Sequence, residues 1–130
     1  MKMSSLENWK SYFNSHIGLG FLSTANASGK VNTAVYARPH VQINGDFAFI
    51  MNDRRSFANV SENPFAVYAF IESNSSGYRF YLKREVVLTE GILYDVVLSE
   101  SRKPPHIQDS GKDKYVVLFK LTEVRPLVGE

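Results

Sequence analysis

The dipeptide Asn44-Gly45 lies between two runs of residues that alternate between apolar and polar side chains. Asn-Gly strongly favours the tight turn of a β-hairpin, and an alternating pattern is typical of a strand with one face buried. The sequence therefore predicts that Val31–Gln42 pairs with Phe47–Met51 as an antiparallel hairpin. This pairing is the strongest constraint on the fold.

The pattern along the rest of the chain predicts six strands in all. They are Phe21–Ala25, Val31–Gln42, Phe47–Met51, Phe65–Glu72, Tyr78–Gly91 and Tyr115–Val124. Gly18 and Gly20 are expected to break the chain before the first strand. The nearly continuous apolar run Phe65–Glu72 is typical of a strand covered on both sides, and the long run after it is expected to contain a bulge.

Three short helices are predicted between these strands. Ser4 or Ser5 is expected to cap the first, which runs to about residue 16. The second spans residues 53–64 with a capping residue before it, and the third spans Leu93 to about Lys103. The first presents an apolar face of Leu6, Trp9, Tyr12, Phe13 and Ile17. The expected fold class is mainly β, a single domain over residues 1–130 whose six antiparallel strands close into a barrel with short flanking helices.

Composition excludes several classes of function. A formal net charge of +2 is too small for long-range attraction to nucleic acid or to a membrane surface. The chain has no cysteine, which excludes disulfides and thiolate metal sites and is typical of a reducing compartment. The histidines lack metal-site spacing, and no apolar run reaches membrane-spanning length. We therefore expect a cytoplasmic protein with no metal, nucleic-acid or membrane partner.

Two arginines, Arg54 and Arg55, lie at the start of the second predicted helix, where the helix dipole disfavours cations. A bound phosphate would compensate, because it accepts bonds from backbone N–H groups, from the guanidinium groups and from the Ser56 hydroxyl. The alternative is a solvated pair, or a salt bridge to Glu62 or Asp53, and these residues alone do not decide between the two.

The predicted strand Val31–Gln42 carries a second candidate site. Its apolar face holds Val31, Thr33, Val35, Ala37 and Val41, and its polar face holds Asn32, Tyr36, Arg38, His40 and Gln42. Pro39 has no N–H donor and disrupts the strand ladder, which leaves nearby backbone groups free for a ligand. An ordinary outward polar face explains the pattern equally well.

A similar row of Arg79, Tyr81 and Lys83 occurs on the long fifth strand. Aromatic and cationic side chains in a row can stack on nucleic-acid bases, but the row matches no ribonucleoprotein motif and the net charge is low. The acids Glu85, Glu90 and Asp95 are interpreted as solvated charges rather than as a catalytic pair.

The order of these segments resembles the pyridoxamine 5′-phosphate oxidase-like family of flavin-binding split barrels. The resemblance rests on Gly20-Phe21-Leu22-Ser23-Thr24-Ala25, Gly29-Lys30-Val31, Val35-Tyr36-Ala37-Arg38-Pro39-His40, Phe47-Ala48-Phe49-Ile50-Met51 and Arg55-Ser56-x-x-Asn59-Val60-x-x-Asn63-Pro64. It covers residues 18–91 and, more loosely, the closing strand. It implies a six-stranded Greek-key split barrel that binds flavin mononucleotide (FMN) between the two subunits of a homodimer.

The resemblance also implies where the cofactor binds. The expected contacts are Tyr36, Ala37, Arg38, Pro39, His40, Ile50, Met51, Asn52, Arg54, Arg55, Ser56, Asn59, Arg79 and Tyr81. Segments around 36–40 and 50–52 wall the flavin ring, and the pair entering the second helix holds the phosphate. Ser56 stands where the family usually has lysine, so the phosphate depends on Arg54 and Arg55.

Two functions follow from the resemblance. The first is an FMN-dependent oxidoreductase with an unidentified small-molecule redox partner, in which Arg38 or His40 tunes the ring. The second is a non-catalytic protein that binds flavin, haem or a deazaflavin, or a barrel dimer that has lost its cofactor. The C-terminal arginine-histidine motif of true pyridoxamine phosphate oxidases is absent after Val124, so oxidation of vitamin B6 is not expected. No catalytic residue is assigned.

Overall fold

The computed structural model describes residues 6–101 and 114–129. Within them, three helices and seven strands follow one another in the order α1 (Leu6–Ser15), β1 (Gly18–Ala25), β2 (Val31–Val35), β3 (His40–Val41), β4 (Phe47–Asn52), α2 (Arg55–Glu62), β5 (Phe65–Glu72), β6 (Gly77–Leu88), α3 (Ile92–Glu100) and β7 (Lys114–Pro126). The strands form one antiparallel sheet in the order β2-β1-β5-β6-β7-β4-β3. The mainly β class is therefore confirmed.

The run predicted as one strand over Val31–Gln42 forms two. Its first part, β2, pairs with β1, whereas its second part, β3, pairs with β4 around the Asn44-Gly45 turn. The chain leaves the sheet between them at residues 36–39, which we call the edge linker. Pro39 lacks the N–H that would continue a ladder. The prediction of six strands in a closed barrel was thus wrong, because the sheet has seven strands and ends at β2 and β3.

Aromatic side chains fill the interior of the curved sheet. Trp9, Tyr12 and Phe13 of α1 are buried, as their spacing predicted, and they pack against Phe70 and Phe80. The helix ends at Ser15, so Ile17 does not continue the apolar face and is 85% exposed. The caps proposed at Ser4 and Ser5 lie outside the described residues.

Gly20 does not break the chain before β1 but lies within the strand. A Cβ there would collide with the hydroxyl of Tyr68, a fully buried residue of β5. That hydroxyl donates a hydrogen bond to the Tyr36 carbonyl oxygen at 3.1 Å. The glycine therefore makes room for a contact that ties the edge linker to the core.

The convex side of β2, β1 and β5 carries an uncovered apolar surface, which we call the outer face. Its members are Leu19, Phe21, Val31, Val35, Phe65, Val67 and Ile71. Val31 is 76% exposed, and Val35 and Phe65 are each 61% exposed. The prediction that Phe65–Glu72 is covered on both sides was therefore wrong for the described residues, and the apolar face of β2 points outward rather than into the core.

α3 covers a different part of the sheet. Val97 packs with Ala48 of β4 and Val116 of β7 in a small second core. The helix ends at Glu100, earlier than predicted. On β6 the predicted bulge is confirmed by register shifts between Tyr81 and Leu82 and between Arg84 and Val86.

Candidate functional site

The start of α2 presents two cations and uncapped backbone donors. Arg54 is the N-cap residue, and no side chain caps the helix, so the predicted capping residue is not found. Arg54 and Arg55 are exposed, and neither pairs with a carboxylate in residues 6–101 or 114–129. Glu62, a possible salt-bridge partner, instead accepts a hydrogen bond from the Ala27 N–H at 2.9 Å. The helix start can therefore accept an anion.

A polar cluster of Ser56, Asn32 and Tyr36 lies behind these arginines. Ser56 is buried, and its hydroxyl accepts a hydrogen bond from Asn32 Nδ2 at 3.3 Å. Burial raises the pKa of the Tyr36 hydroxyl, while a hydrogen bond to Ser56 and the nearby charge of Arg54 oppose that rise. Three of the predicted contacts, Tyr36, Arg54 and Ser56, are thus brought together from two distant segments.

Two further predicted contacts hold α2 in place or border its start. Asn59 is buried and donates from Nδ2 to Thr24 Oγ1 on β1 at 3.0 Å, which fixes the helix against the sheet. Asn52, exposed at the end of β4, accepts a hydrogen bond from Lys114 Nζ at 3.2 Å. Lys114 adds a third cation beside the helix start, and sequence reasoning missed it because its position depends on the pairing of β4 with β7.

The other end of the edge linker turns toward α1 and α3. Arg38 Nη1 donates to the Phe13 carbonyl oxygen at 2.9 Å, and Pro39 is buried. His40 Nδ1 lies 3.1 Å from Glu100 Oε1 at the end of α3. Arg38, Pro39 and His40 line a cavity of about 400 Å³ between α1, the edge linker and α3. The row predicted on one strand therefore divides between two places, with Tyr36 at α2 and Arg38–His40 at this cavity.

The remaining predicted contacts lie in different surroundings. Ala37 is exposed on the edge linker, Ile50 packs under α3, and Met51 is fully buried in the main core. Arg79 donates from Nε to the Pro126 carbonyl at 2.9 Å, and its Nη1 lies 3.4 Å from the Tyr81 hydroxyl. Arg79 and Tyr81 lie on the same side of the sheet as the outer face, because on β6 they are opposite Ala69 and Val67 of β5.

An acid pair that the sequence did not indicate forms at the bulge of β6. Asp46, in the turn before β4, hydrogen-bonds to Glu85. The pKa of Asp46 is raised, first by burial and then by this hydrogen bond and the negative charge of Glu85, against smaller lowering effects of Asn44 and Lys120. Glu85 had been interpreted as a solvated charge, and its partner comes from a segment far away in sequence.

We expect Asp46→Asn to stabilise the protein at neutral pH. A carboxyl whose pKa is raised on folding contributes stability below its ordinary pKa of 3.8 and loses it as the pH rises through the raised value. Asparagine has no ionisable carboxyl group, so the variant does not lose stability through ionisation at this position as the pH rises. The variant's gain in free energy of unfolding should therefore increase between about pH 3 and pH 7, and it should stay near or below about 1 kcal/mol because the site is partly exposed.

Thermal unfolding at several pH values measures this effect. Glu90→Gln, which removes an exposed carboxylate beyond the end of β6, is the matched control for the change in net charge. A gain from Asp46→Asn that is the same at acidic and neutral pH would contradict a raised pKa of Asp46 in the folded protein.

Two other kinds of site are absent from residues 6–101 and 114–129. No helix among them is long and apolar enough to cross a membrane. No group of three or more histidine, aspartate or glutamate side chains is placed to hold a metal ion in the same part of the chain.

Comparison with known proteins finds similarity in structure but not in sequence. No family model matches the chain. No curated protein matches it either. Solved structures, in contrast, match over nearly the whole chain at identities too low to indicate more than the fold.

Three of these structures illustrate the match. An FMN-binding protein from Syntrophomonas wolfei is 20% identical, with a TM-score of 0.78 over 96% of this chain and 87% of its own. HutZ, the haem-storage protein of Vibrio cholerae, is 15% identical, with a TM-score of 0.69 over 93% and 94%. A pyridoxamine 5′-phosphate oxidase-related, FMN-binding protein from Nostoc punctiforme is 11% identical, with a TM-score of 0.65 over 97% and 86%. The chain therefore has the split-barrel fold of the pyridoxamine 5′-phosphate oxidase-like proteins.

Proposed function

We propose that this protein binds FMN, with the phosphate at the start of α2. The observation that carries the proposal is the pair Arg54 and Arg55, which lies at an uncapped helix start without a carboxylate partner in the described residues. Guanidinium groups and backbone N–H groups together are the donors that a phosphate dianion prefers. Ser56 supports the site by position rather than by charge, because its hydroxyl is buried and bonded to Asn32.

In this proposal the flavin ring lies against the edge linker. It begins at Tyr36, within reach of Ser56 and Arg54, and its residues 37–39 have no partner strand in the sheet. Ala37 and Asn52 are exposed beside it, whereas Met51 is buried and contributes through its backbone alone. A backbone without ladder bonds supplies donors and acceptors to the polar edge of a flavin.

When bound, the isoalloxazine ring supplies hydride or electron transfer, and the protein acts as an oxidoreductase. The residues of the chain hold and orient it. Arg54 and Arg55 bind the phosphate, and Tyr36 lies beside them at the start of the edge linker. A cytoplasmic location agrees with the lack of cysteine.

We further propose that two copies associate through the outer face. Large exposed apolar patches on soluble proteins mark interaction sites, and this patch spans three neighbouring strands. Arg79 and Tyr81 border it on β6 and would come next to the second copy. A homodimer built this way agrees with the resemblance, which implies FMN between two subunits.

The visible absorption spectrum of freshly purified protein tests the cofactor. We expect the two-band spectrum of oxidised flavin, and release of FMN on denaturation. A Soret band would indicate haem and a single deazaflavin band a deazaflavin, and either would replace the FMN proposal. A colourless protein that also fails to bind added FMN would favour a barrel that has lost its cofactor.

A further inference from the structure

The cavity between α1, the edge linker and α3 has a cationic wall on the side of α1. Lys10 and Asn14 lie one helical turn apart on this helix and both line the cavity. Arg38 is held against the same helix by its 2.9 Å hydrogen bond to the Phe13 carbonyl. The acceptor of that bond is a neutral carbonyl oxygen, so the bond does not neutralise the positive charge of Arg38.

The wall formed by α3 and the β3–β4 turn carries three branched apolar side chains beside the polar Gln42 and Glu100. Val96 and Val97 of α3 line the cavity together with Ile43 of the turn. Ile43 is 93% exposed, and Val96 is 43% exposed. Exposed branched side chains beside a cavity of about 400 Å³ offer an apolar contact surface, and the volume lies within the range of small-molecule sites, about 300–1,000 Å³.

Glu100, the one acid among the described lining residues, does not offset the cations. Glu100 is paired with His40, Nδ1 to Oε1 at 3.1 Å. Lys10 and Arg38 have no carboxylate partner among residues 6–101 and 114–129. Lys10 and Arg38 therefore give the cavity a positive side, and the branched side chains of α3 and the β3–β4 turn give it an apolar side.

We propose that this cavity binds an amphipathic organic anion, a carboxylate or sulfonate on an apolar body. The anionic group lies at Lys10 and Arg38, and the body lies against Val96 and Ile43. The proposal goes beyond flavin binding, because neither α1 nor α3 contributes to the start of α2. It describes binding only and requires no cofactor.

Fluorescence of anilinonaphthalene sulfonate, itself an amphipathic anion, measures binding to the full chain. Octanoate should displace the probe, and octylamine, which has the same apolar body and the opposite charge, should not. Lys10→Glu should weaken probe binding by about tenfold or more, since it replaces a charge-assisted contact with repulsion. Lys30→Glu, the same charge change at an exposed residue of the β1–β2 turn, is the control.

Three results would overturn the proposal. They are equal probe affinity in the wild type and Lys10→Glu, an equal loss in both lysine variants, and displacement by octylamine as readily as by octanoate. Neither lysine variant replaces a member of the outer face, so probe bound there would not distinguish Lys10→Glu from the wild type. FMN content, measured in parallel, should be unchanged in Lys10→Glu, so failure of the anion site and failure of the flavin site give different results.

Discussion

Replacing both Arg54 and Arg55 by alanine is expected to lower the affinity for FMN by at least about 100-fold, and Arg55→Ala alone by about tenfold or more. Each guanidinium supplies a charge-assisted hydrogen bond to the phosphate, worth about 1.5–3 kcal/mol, and about 1.4 kcal/mol corresponds to a factor of ten. Both side chains are exposed, so the fold should persist. Flavin fluorescence quenching on titration measures the affinity.

A parallel titration with riboflavin shows whether the lost affinity comes from contacts to the phosphate. Riboflavin lacks the phosphate, so its weaker binding should be nearly unchanged by the double substitution. Lys30→Ala removes a positive charge from an exposed turn and should leave FMN affinity within about twofold, as expected for a charge screened by solvent. Undiminished FMN affinity in the double variant would show that the phosphate binds elsewhere.

Val35→Glu is expected to convert the proposed homodimer into monomers. In a two-fold symmetric interface each substitution occurs twice, so two carboxylates would be buried without partners, at a cost of several kcal/mol each. The dissociation constant should rise by about 1,000-fold or more. Val35 is exposed on the edge strand of the single chain, so the monomer should remain folded. Sedimentation velocity over a range of concentrations measures the change.

The matched control is Ile92→Glu, which introduces the same charge at an exposed apolar residue of α3, away from the outer face. This variant should sediment as the wild type does. A wild-type protein that is monomeric at micromolar concentration would disprove the homodimer, and a Val35→Glu variant that remains dimeric would place the interface on another surface.

Local chemistry was sufficient to predict several parts of the fold. The Asn44-Gly45 turn determines its own hairpin, and the apolar spacing of Trp9, Tyr12 and Phe13 requires a buried helix face. Alternation over Val31–Gln42 correctly placed Val31, Thr33 and Val35 on one face of β2, but it put Val41 with them, and Val41 is buried on a different strand. It did not reveal which face points inward, because that depends on which strands pair, and pairing is decided by contacts far apart in sequence.

The same limit applies to the candidate sites. Arg54 and Arg55 were found because they violate a local preference at a helix start. Lys114 and the pair of His40 with Glu100 were not found, since each depends on segments about 60 residues apart. Gly20 was misinterpreted as a break, because the side chain that needs its space, Tyr68, belongs to another strand.

The edge linker is shared by both proposed sites, and this gives them a thermodynamic connection. Tyr36 at its start contacts the cluster beside α2, and Arg38 and Pro39 at its end line the cavity. A ligand that stabilises one conformation of the linker at one end therefore biases the conformation offered to the other ligand. By reciprocity of linked equilibria, FMN and an organic anion should then change each other's affinity by the same factor, although they need not touch.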